Sequence, residues 1–174
     1  TYFKEADIVH YHVLHSGFFS YLALPRLTRE KPSIWTHHDF WALTGHCSFT
    51  LDCERWKTGC GRCPYPESYP PVRRDATHLE WRIKDGVYRR SKLEIVVPSR
   101  WFRNRMEESM LKRFPIHVIP YGIDTEAFAP HEKDLCRELL GIPPGKRVLL
   151  TALADFRRPN KGAHLIPPAL EHLP

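Results

Sequence analysis

Four of the five cysteines of this chain lie in one short window, and thiols in that arrangement could bind a metal. They are Cys47, Cys53, Cys60 and Cys63. The last two form a close Cys-x2-Cys pair, which is typical of a zinc knuckle, and Gly59 and Gly61 permit the tight turn that a knuckle needs. Structural zinc, an iron–sulfur cluster, and disulfides or free thiols all remain open, and His46 could replace one ligand. We expect the cysteines to fasten a long loop and not to hold a catalytic metal.

A second candidate group, the run His37-His38-Asp39, follows directly after the apolar segment Ser33–Thr36. A histidine there could take up a proton or donate a hydrogen bond to a phosphate or hydroxyl group, because its pKa lies near neutral pH. From spacing alone we favour the simpler interpretation of a capping histidine followed by an Asx turn.

The pair Lys161-Gly162 stands where a last helix is expected to begin. The start of a helix offers free N–H groups and the positive end of the helix dipole, and a lysine adds a full charge. The pair therefore predicts a weak anion site. It is not a P-loop, because the glycine pattern of that motif is absent.

The elements that position these groups alternate along the chain. Five β-branched, apolar segments predict strands: Asp7–Val13, Ser33–Thr36, Glu94–Pro98, Ile116–Pro120 and Arg147–Ala154. Because helical patterns separate them, the sequence predicts an α/β fold with a Rossmann-like parallel sheet, flanking helices and right-handed crossovers. Ligands of such sheets bind at the carboxyl ends of the strands. At these ends lie His12, His15, the His37-His38-Asp39 run, Ser99–Arg100 and Tyr121–Asp124.

Caps and apolar spacing predict the first two of the intervening helices. Ser16 would cap a helix that Pro25 ends or kinks. Asp75 or Thr77 would begin a helix that runs towards Arg90. On this second helix, apolar residues spaced four apart predict one buried face: Leu79, Ile83 and Val87.

The later helices follow the same signals. Ser99 would cap a helix on which three apolar residues recur every four positions: Phe102, Met106 and Met110. A short helix over Glu132–Leu140 would end at Gly141. The last helix would begin at Lys161 or Gly162 and reach the region of Pro174.

The net charge is concentrated in one part of the chain. Lys and Arg number 26 against 20 Asp and Glu, and twelve basic against six acidic residues lie between Arg73 and Arg113. A local basic surface suits an anionic ligand or an acidic membrane face, although a solvated helical surface explains it equally well. We do not expect nucleic acid as a partner, since no RNA-binding or helix-turn-helix pattern accompanies the charge. No stretch approaches 18 uninterrupted apolar residues, so no membrane-spanning helix is predicted.

Taken in order, several motifs resemble one known family. They are Ala6–His12 (ADIVHYH), Ile34–Cys63, Val97–Trp101 (VPSRW), Val118–Phe128 (VIPYGIDTEAF) and the Lys161-Gly162 pair after a strand. This set is similar to the family 4 glycosyltransferases, which are retaining enzymes of the GT-B fold, and in particular to the colanic-acid and exopolysaccharide type. The cysteine-containing stretch is the most specific of these motifs.

The resemblance implies two Rossmann-like domains that face a cleft. A nucleoside-diphosphate sugar would be held by the C-terminal domain, and a saccharide or lipid-linked acceptor by the N-terminal one. Residues 1–125 would then be the C-terminal part of the acceptor-side domain, and residues 126–174 a linker with the first strand and helix of a truncated donor domain. Such a fragment is expected to be inactive alone. The resemblance also implies no catalytic metal and a cytoplasmic enzyme with peripheral contact at the inner face of the membrane.

The resemblance assigns roles to particular residues. His38 would approach the transferred sugar as a catalytic residue, with Asp39 setting its position. The donor pyrophosphate would be bound by Lys161, and by Arg157 and Arg158 as substitutes for an arginine that the family normally has where Asp155 stands here. The acceptor side would use His12, Ser99 and Arg100.

A second departure from the family is Tyr121, which stands where the family usually has asparagine. The competing hypothesis is a non-catalytic, zinc-clipped binding module that contacts nucleic acid or a protein partner. It rests on the four cysteines and the basic segment.

Overall fold

The computed structural model describes residues 2–15, 17–152 and 161–172. The chain divides into two compact units, Thr1–Tyr121 and Gly122–Pro174. Each unit is described by itself below.

The first unit is built on a four-stranded sheet. Its strands are β1 (Val9–Tyr11), β2 (Ser33–Thr36), β3 (Glu94–Val97) and β4 (Ile116–Val118), in the spatial order β1-β2-β3-β4. Every neighbouring pair is parallel, with Tyr11 opposite Trp35, and Val97 opposite Val118. The predicted parallel α/β sheet is therefore confirmed, and the carboxyl ends of all four strands lie along one edge.

In the described part of this unit, one helix precedes the sheet and three lie between its strands. They are α1 (Tyr2–Glu5), α2 (Leu24–Glu30), α3 (Thr77–Tyr88) and α4 (Arg100–Glu107), with 3-10 turns at Tyr21–Ala23 and Met110–Arg113. Ser99 caps α4 as predicted, because its Oγ accepts the N–H of Phe102 at 3.2 Å. Phe102, Met106 and Met110 are buried, which confirms the apolar face of that segment.

Two helix predictions were wrong in detail. Pro25 does not end a helix but stands in the first turn of α2, where its missing N–H costs nothing. Ser16, the predicted cap, lies outside the described residues. On α3 only Val87 of the predicted face is buried, whereas Leu79 and Ile83 are exposed.

The side of α3 that packs inwards is partly polar. It presents Thr77, Lys84, Val87 and Tyr88 to the rest of the unit. A search for apolar residues alone misses this face, because Thr77 and Lys84 do not count as hydrophobic.

A long segment between β2 and α3, residues 37–76, carries the four clustered cysteines, and we call it the cysteine loop. Its regular structure among the described residues is limited to two 3-10 turns, Trp41–Leu43 and Arg55–Lys57. The loop is nonetheless part of the core, since Phe40, Leu43 and Trp56 are buried.

Hydrogen bonds from α3 hold the cysteine loop in place. The buried ammonium of Lys84 donates to the carbonyl oxygens of Trp41 and Thr44 at 2.8 and 3.1 Å. The indole of Trp81 donates to the carbonyl oxygen of Trp56 at 2.8 Å. The loop therefore depends on side-chain donors of one helix for backbone groups that no strand or helix satisfies.

The second unit contains α5 (Lys133–Leu139) and α6 (Ile166–Glu171), the latter preceded by a 3-10 turn at Ala163–Leu165. Glu132 caps α5 by accepting the N–H of Leu135, and Gly141 follows with a φ of 63°. The predicted fifth strand is not formed over residues 147–152, and residues 153 and 154 lie outside the described part. Among the described residues, no helix is long and apolar enough to cross a bilayer.

Candidate functional site

Three side chains meet where the chain leaves β1, β2 and β4. His38 Nε2 lies 2.9 Å from His12 Nδ1, and His38 Nδ1 lies 2.7 Å from the hydroxyl oxygen of Tyr121. The three rings also stack, with His38 between the other two. We call this group the His38 triad. It lies at the edge of the sheet where the parallel topology predicts a ligand site.

The donor and acceptor roles within the His38 triad depend on which nitrogen of His38 carries the proton. If Tyr121 donates to His38 Nδ1, then His38 Nε2 is protonated and donates to His12. If Tyr121 accepts instead, His38 Nε2 accepts from His12 Nδ1. A neutral His38 thus has one donor and one acceptor nitrogen in either arrangement. The His38 side chain is exposed, so a ligand can reach it.

The charge state of His38 follows from its surroundings. Partial burial lowers the pKa of His38 below its ordinary value, the nearby His12 lowers it further, and Asp39 opposes both effects. The pKa of His10, beside His12, is lowered for similar reasons, burial first. His38 is therefore mainly neutral at neutral pH.

The Asp39 carboxylate forms hydrogen bonds with residues other than His38. Its Oδ2 lies 2.8 Å from His15 Nε2, and its Oδ1 accepts the backbone N–H of Trp41 at 2.9 Å. Hydrogen bonds orient His38 from His12 and Tyr121 instead. Asp39 thus joins the loop after β1 to the start of the cysteine loop.

His37 is enclosed beneath this site. Its ring packs against Trp35 with centroids 4.2 Å apart, and its Nε2 is buried with no hydrogen-bond partner among the described residues. Burial lowers the pKa of His37 to about 3. His37 is therefore a neutral core residue, and of the two adjacent histidines only His38 faces solvent.

The remaining predicted site residues are more dispersed. The Ser99 hydroxyl is engaged as the cap of α4, and Arg100 is exposed on the first turn of that helix. Among the described residues, no hydrogen bond or ion pair joins either of them to the His38 triad. In the second unit Lys161 is exposed next to Gly162, which has a φ of 72°. Arg157 and Arg158 lie outside the described residues.

The four clustered cysteines converge on one small cavity. Its lining includes Cys47, Cys53, Cys60 and Cys63 together with His46 and Trp56, and its volume is about 20 Å³. All five cysteines of the chain are free. Burial raises the pKa of Cys47 to about 11 and that of Cys60 to about 12, so these side chains are neutral thiols as they stand. In the described part of the chain, no three His, Cys, Asp or Glu side chains are already close enough to share a metal ion.

The basic segment, residues 73–113, is less exposed than its composition suggests. Lys84 is fully buried, and burial lowers its pKa to about 7. Four arginines of the basic segment form ion pairs with carboxylates: Arg89, Arg103, Arg105 and Arg113. The surface that remains for an anionic partner is correspondingly smaller.

The sequence places Tyr121 and His15 at the ends of strands but does not indicate which side chains they contact. Nothing local in the sequence indicates that Tyr121 reaches a residue 83 positions earlier. A signal was present in the topology, since both residues follow parallel strands of one sheet.

Comparison with known proteins gives a consistent result. The sequence model of Glycosyltransferase Family 4 matches residues 2–127. The chain is also 44% identical over 78 residues to the "Putative colanic acid biosynthesis glycosyl transferase WcaC" of Escherichia coli (strain K12). That alignment covers 41% of this chain and 19% of the relative, so the chain spans about a fifth of the length of the curated protein it matches. No solved structure is significantly similar to the chain.

Proposed function

Because the chain belongs to Glycosyltransferase Family 4, we propose that it serves in a retaining transfer of a hexose from a nucleoside-diphosphate sugar to a saccharide or lipid-linked acceptor. The pathway would be the biosynthesis of a cell-surface polysaccharide, as in the name of the colanic-acid relative. The observation that carries the proposal is the His38 triad at the ligand-binding edge of the sheet.

The chemistry of the transfer suits a neutral histidine at this place. When the bond between the anomeric carbon and the diphosphate breaks, positive charge develops on the sugar ring and negative charge on the leaving phosphate. An imidazolium beside the ring would oppose that positive charge. A neutral His38 instead has one donor and one acceptor nitrogen, either of which could bind a sugar hydroxyl group, and its lowered pKa maintains that form at neutral pH.

His12 and Tyr121 act in this proposal as positioning residues. They occupy both ring nitrogens of His38 in the absence of a sugar, and a sugar hydroxyl would replace one of them. The remaining hydrogen bond fixes the plane of the imidazole ring. This preorganisation reduces the entropy that binding the donor must overcome.

The other site residues keep their proposed roles. Lys161 would neutralise the donor pyrophosphate, where charge builds as the leaving group departs, together with Arg157 and Arg158. The acceptor would be contacted by His12 and by the exposed guanidinium of Arg100, with Ser99 holding the helix that carries it.

We also propose that the enzyme acts at the cytoplasmic face of the membrane, with peripheral contact to anionic lipid through the basic segment. Each basic residue close to such a surface contributes about 1 kcal/mol. The test is sedimentation of the chain with vesicles of anionic and of neutral lipid across a salt series. Binding to the anionic vesicles that weakens as salt rises is expected, and binding that ignores both salt and lipid charge contradicts this contact.

The proposed transfer is tested by turnover of the full-length gene product that carries this sequence. Purified enzyme is incubated with a panel of uridine, guanosine and thymidine diphosphate sugars, with saccharide and lipid-linked acceptors. We expect release of one nucleoside diphosphate and a glycosidic product whose anomeric configuration, read by NMR, matches that of the donor. No release from any donor would refute the transferase, and an inverted product would refute retention.

The 174-residue chain is assayed beside the full-length product. We expect no turnover from the 174 residues alone. Measurable release of nucleoside diphosphate by that chain, at a rate comparable with the full-length enzyme, would contradict this expectation.

A further inference from the structure

The cavity of the cysteine loop has the features of a metal site. We propose that Cys47, Cys53, Cys60 and Cys63 bind one structural zinc ion that fastens the cysteine loop to α3. The proposal concerns the folding of the loop and does not depend on the proposed transferase activity.

The cavity is the first argument. Four thiols that are spread over 17 positions of sequence line a single space of about 20 Å³. A space of that size accommodates one water-sized occupant and no organic ligand. Four thiolates around one such position form the tetrahedral, sulfur-rich set that zinc prefers in structural sites.

The backbone of the loop turns sharply to bring two of the thiols to this cavity. Cys60 has a φ of 50° and Arg62 a φ of 47°, and the neighbouring Gly59 and Gly61 also have positive φ. Non-glycine residues rarely adopt the left-handed region, because their Cβ atoms crowd the backbone there. Thr77 Oγ1 holds this turn by accepting the N–H of Gly61 at 2.9 Å. The strained backbone of the turn directs Cys60 and Cys63 towards the cavity.

Backbone and indole N–H groups around the cavity are the second, independent argument. The N–H of Gly45 donates to Cys60 Sγ at 3.2 Å. The indole N–H of Trp56, whose ring lines the cavity, is buried without a hydrogen-bond partner among the described residues. These groups suit thiolates, which accept hydrogen bonds, better than neutral thiols.

Lys84 provides a matching charge. Its ammonium is fully buried on the helix against which the loop packs, and it forms no ion pair with a carboxylate in the part of the chain that the structure describes. Its partners are two carbonyl oxygens of the loop and the face of Trp41, 3.5 Å from the ring centre. A zinc ion with four thiolates carries two net negative charges, and the protonated form of Lys84, which interacts electrostatically with Cys60 and Cys47, would offset part of them.

His46 fixes the fourth thiol. A carbonyl oxygen can only accept, so the contact of 2.9 Å with Pro70 O requires a proton on His46 Nδ1. In the neutral ring, His46 Nε2 then presents its lone pair, 3.2 Å from Cys63 Sγ. The thiol therefore donates to His46 in the absence of metal, and this contact holds Cys63 at the cavity wall.

Binding requires a limited closure of the loop. The four cysteines line the cavity, but their side chains are too far apart to share one ion and must move towards its centre. Zinc binding then forms four Zn–S bonds and releases four thiol protons, with no change of oxidation state. Neither an oxidant nor a reductant is needed, which distinguishes this site from a pair of disulfides.

The first test measures metal in the purified 174-residue chain. We expect about one zinc per chain by elemental analysis, and loss of most of it in Cys47→Ser and Cys60→Ser. The matched control is Cys136→Ser, which removes the thiol outside the loop and should keep the full zinc content. Circular dichroism of each variant shows whether the chain has folded.

A second measurement applies if the cysteine variants fail to fold. Wild-type chain is loaded with cobalt in place of zinc, and four thiolates should give the intense visible bands of a tetrahedral, sulfur-rich site. Zinc added afterwards should abolish these bands at one equivalent per chain.

Four outcomes overturn the proposal. They are a wild-type chain without zinc that gives no tetrahedral cobalt spectrum, iron with acid-labile sulfide, disulfides among the four cysteines in non-reducing mass spectrometry, and full zinc retention by Cys47→Ser or Cys60→Ser. Loss of zinc in Cys136→Ser to the same extent as in Cys60→Ser would also contradict it.

Discussion

The hydroxyl oxygen of Tyr121 lies 2.7 Å from Nδ1 of His38, a contact that joins the segment after β4 to the segment after β2. Removal of this hydroxyl in Tyr121→Phe leaves the ring stacked on His38 but deletes one hydrogen bond, worth about 1 kcal/mol. We expect kcat of the full-length enzyme to fall about 5-fold with little change in KM. The control is Tyr2→Phe, which alters an exposed ring outside the site. Equal kcat values for the two variants would remove Tyr121 from the site.

His12 is expected to control the charge of His38. Wild-type His38 should titrate below the ordinary pKa of histidine, because burial and the nearby His12 both disfavour its protonated form. His12→Gln removes the second effect, so the pKa of His38 should rise. The measurement is the NMR titration of the His38 ring in the 174-residue chain, with His117→Ala as the control. A His38 midpoint that is the same in His12→Gln and in wild type would contradict this coupling.

Buried His37 should make the fold sensitive to acid. Its pKa is about 3 when folded and near 6.5 when unfolded, so below pH 6.5 only the unfolded chain takes up this proton and stability falls as pH falls. Between about pH 7.5 and about pH 5, this one group should cost about 2 kcal/mol of unfolding free energy.

The expected loss is read from urea unfolding at both pH values. His37→Phe and His37→Asn lack the titrating group, so each should lose about 2 kcal/mol less than wild type over the same interval. His117→Ala, which alters an exposed histidine, should behave like wild type. If all four proteins show the same dependence on pH, His37 is not the acid-sensitive group.

Two glycines should respond in opposite directions to the same substitution. A Cβ on Gly45 would lie 2.4 Å from the carbonyl oxygen of Thr77, and that atom belongs to the backbone of α3 and cannot move aside. Gly45→Ala should therefore destabilise the chain by about 2 kcal/mol or more. Gly86 stands inside α3 with open space around it, so Gly86→Ala should stabilise by about 0.5–1 kcal/mol. Urea unfolding measures both, and a neutral Gly45→Ala would show that the loop does not pack tightly on the helix.

The sheet could be predicted from the sequence because its strands are short apolar runs that alternate with helical patterns. Ser99 is a further success, since a serine before an amphipathic segment is a local signal. The inward face of α3 could not be predicted in this way. Its position depends on Lys84, whose partners are carbonyl groups of a loop 40 or more residues earlier in the chain.

The site was predictable to a similar extent. The sequence places His12 and His38 at the ends of adjacent strands, and the parallel register then brings them together. The contact of Asp39 with His15, from the loop after β1, was not predicted. Such pairings depend on how loops fold over the sheet edge, and the residues around Asp39 do not predict them.

The central claim, that His38 stabilises the transferred sugar, is tested most directly by comparing two histidine variants of the full-length enzyme. His38→Ala removes the proposed catalytic group, whereas His117→Ala removes an exposed histidine that pairs with Glu94 on the strand surface. We expect kcat of His38→Ala to fall about 100-fold or more, the usual cost of losing an electrostatic contact to a transition state, while His117→Ala keeps the wild-type value. A His38→Ala enzyme whose kcat stays within about 3-fold of wild type would contradict the account.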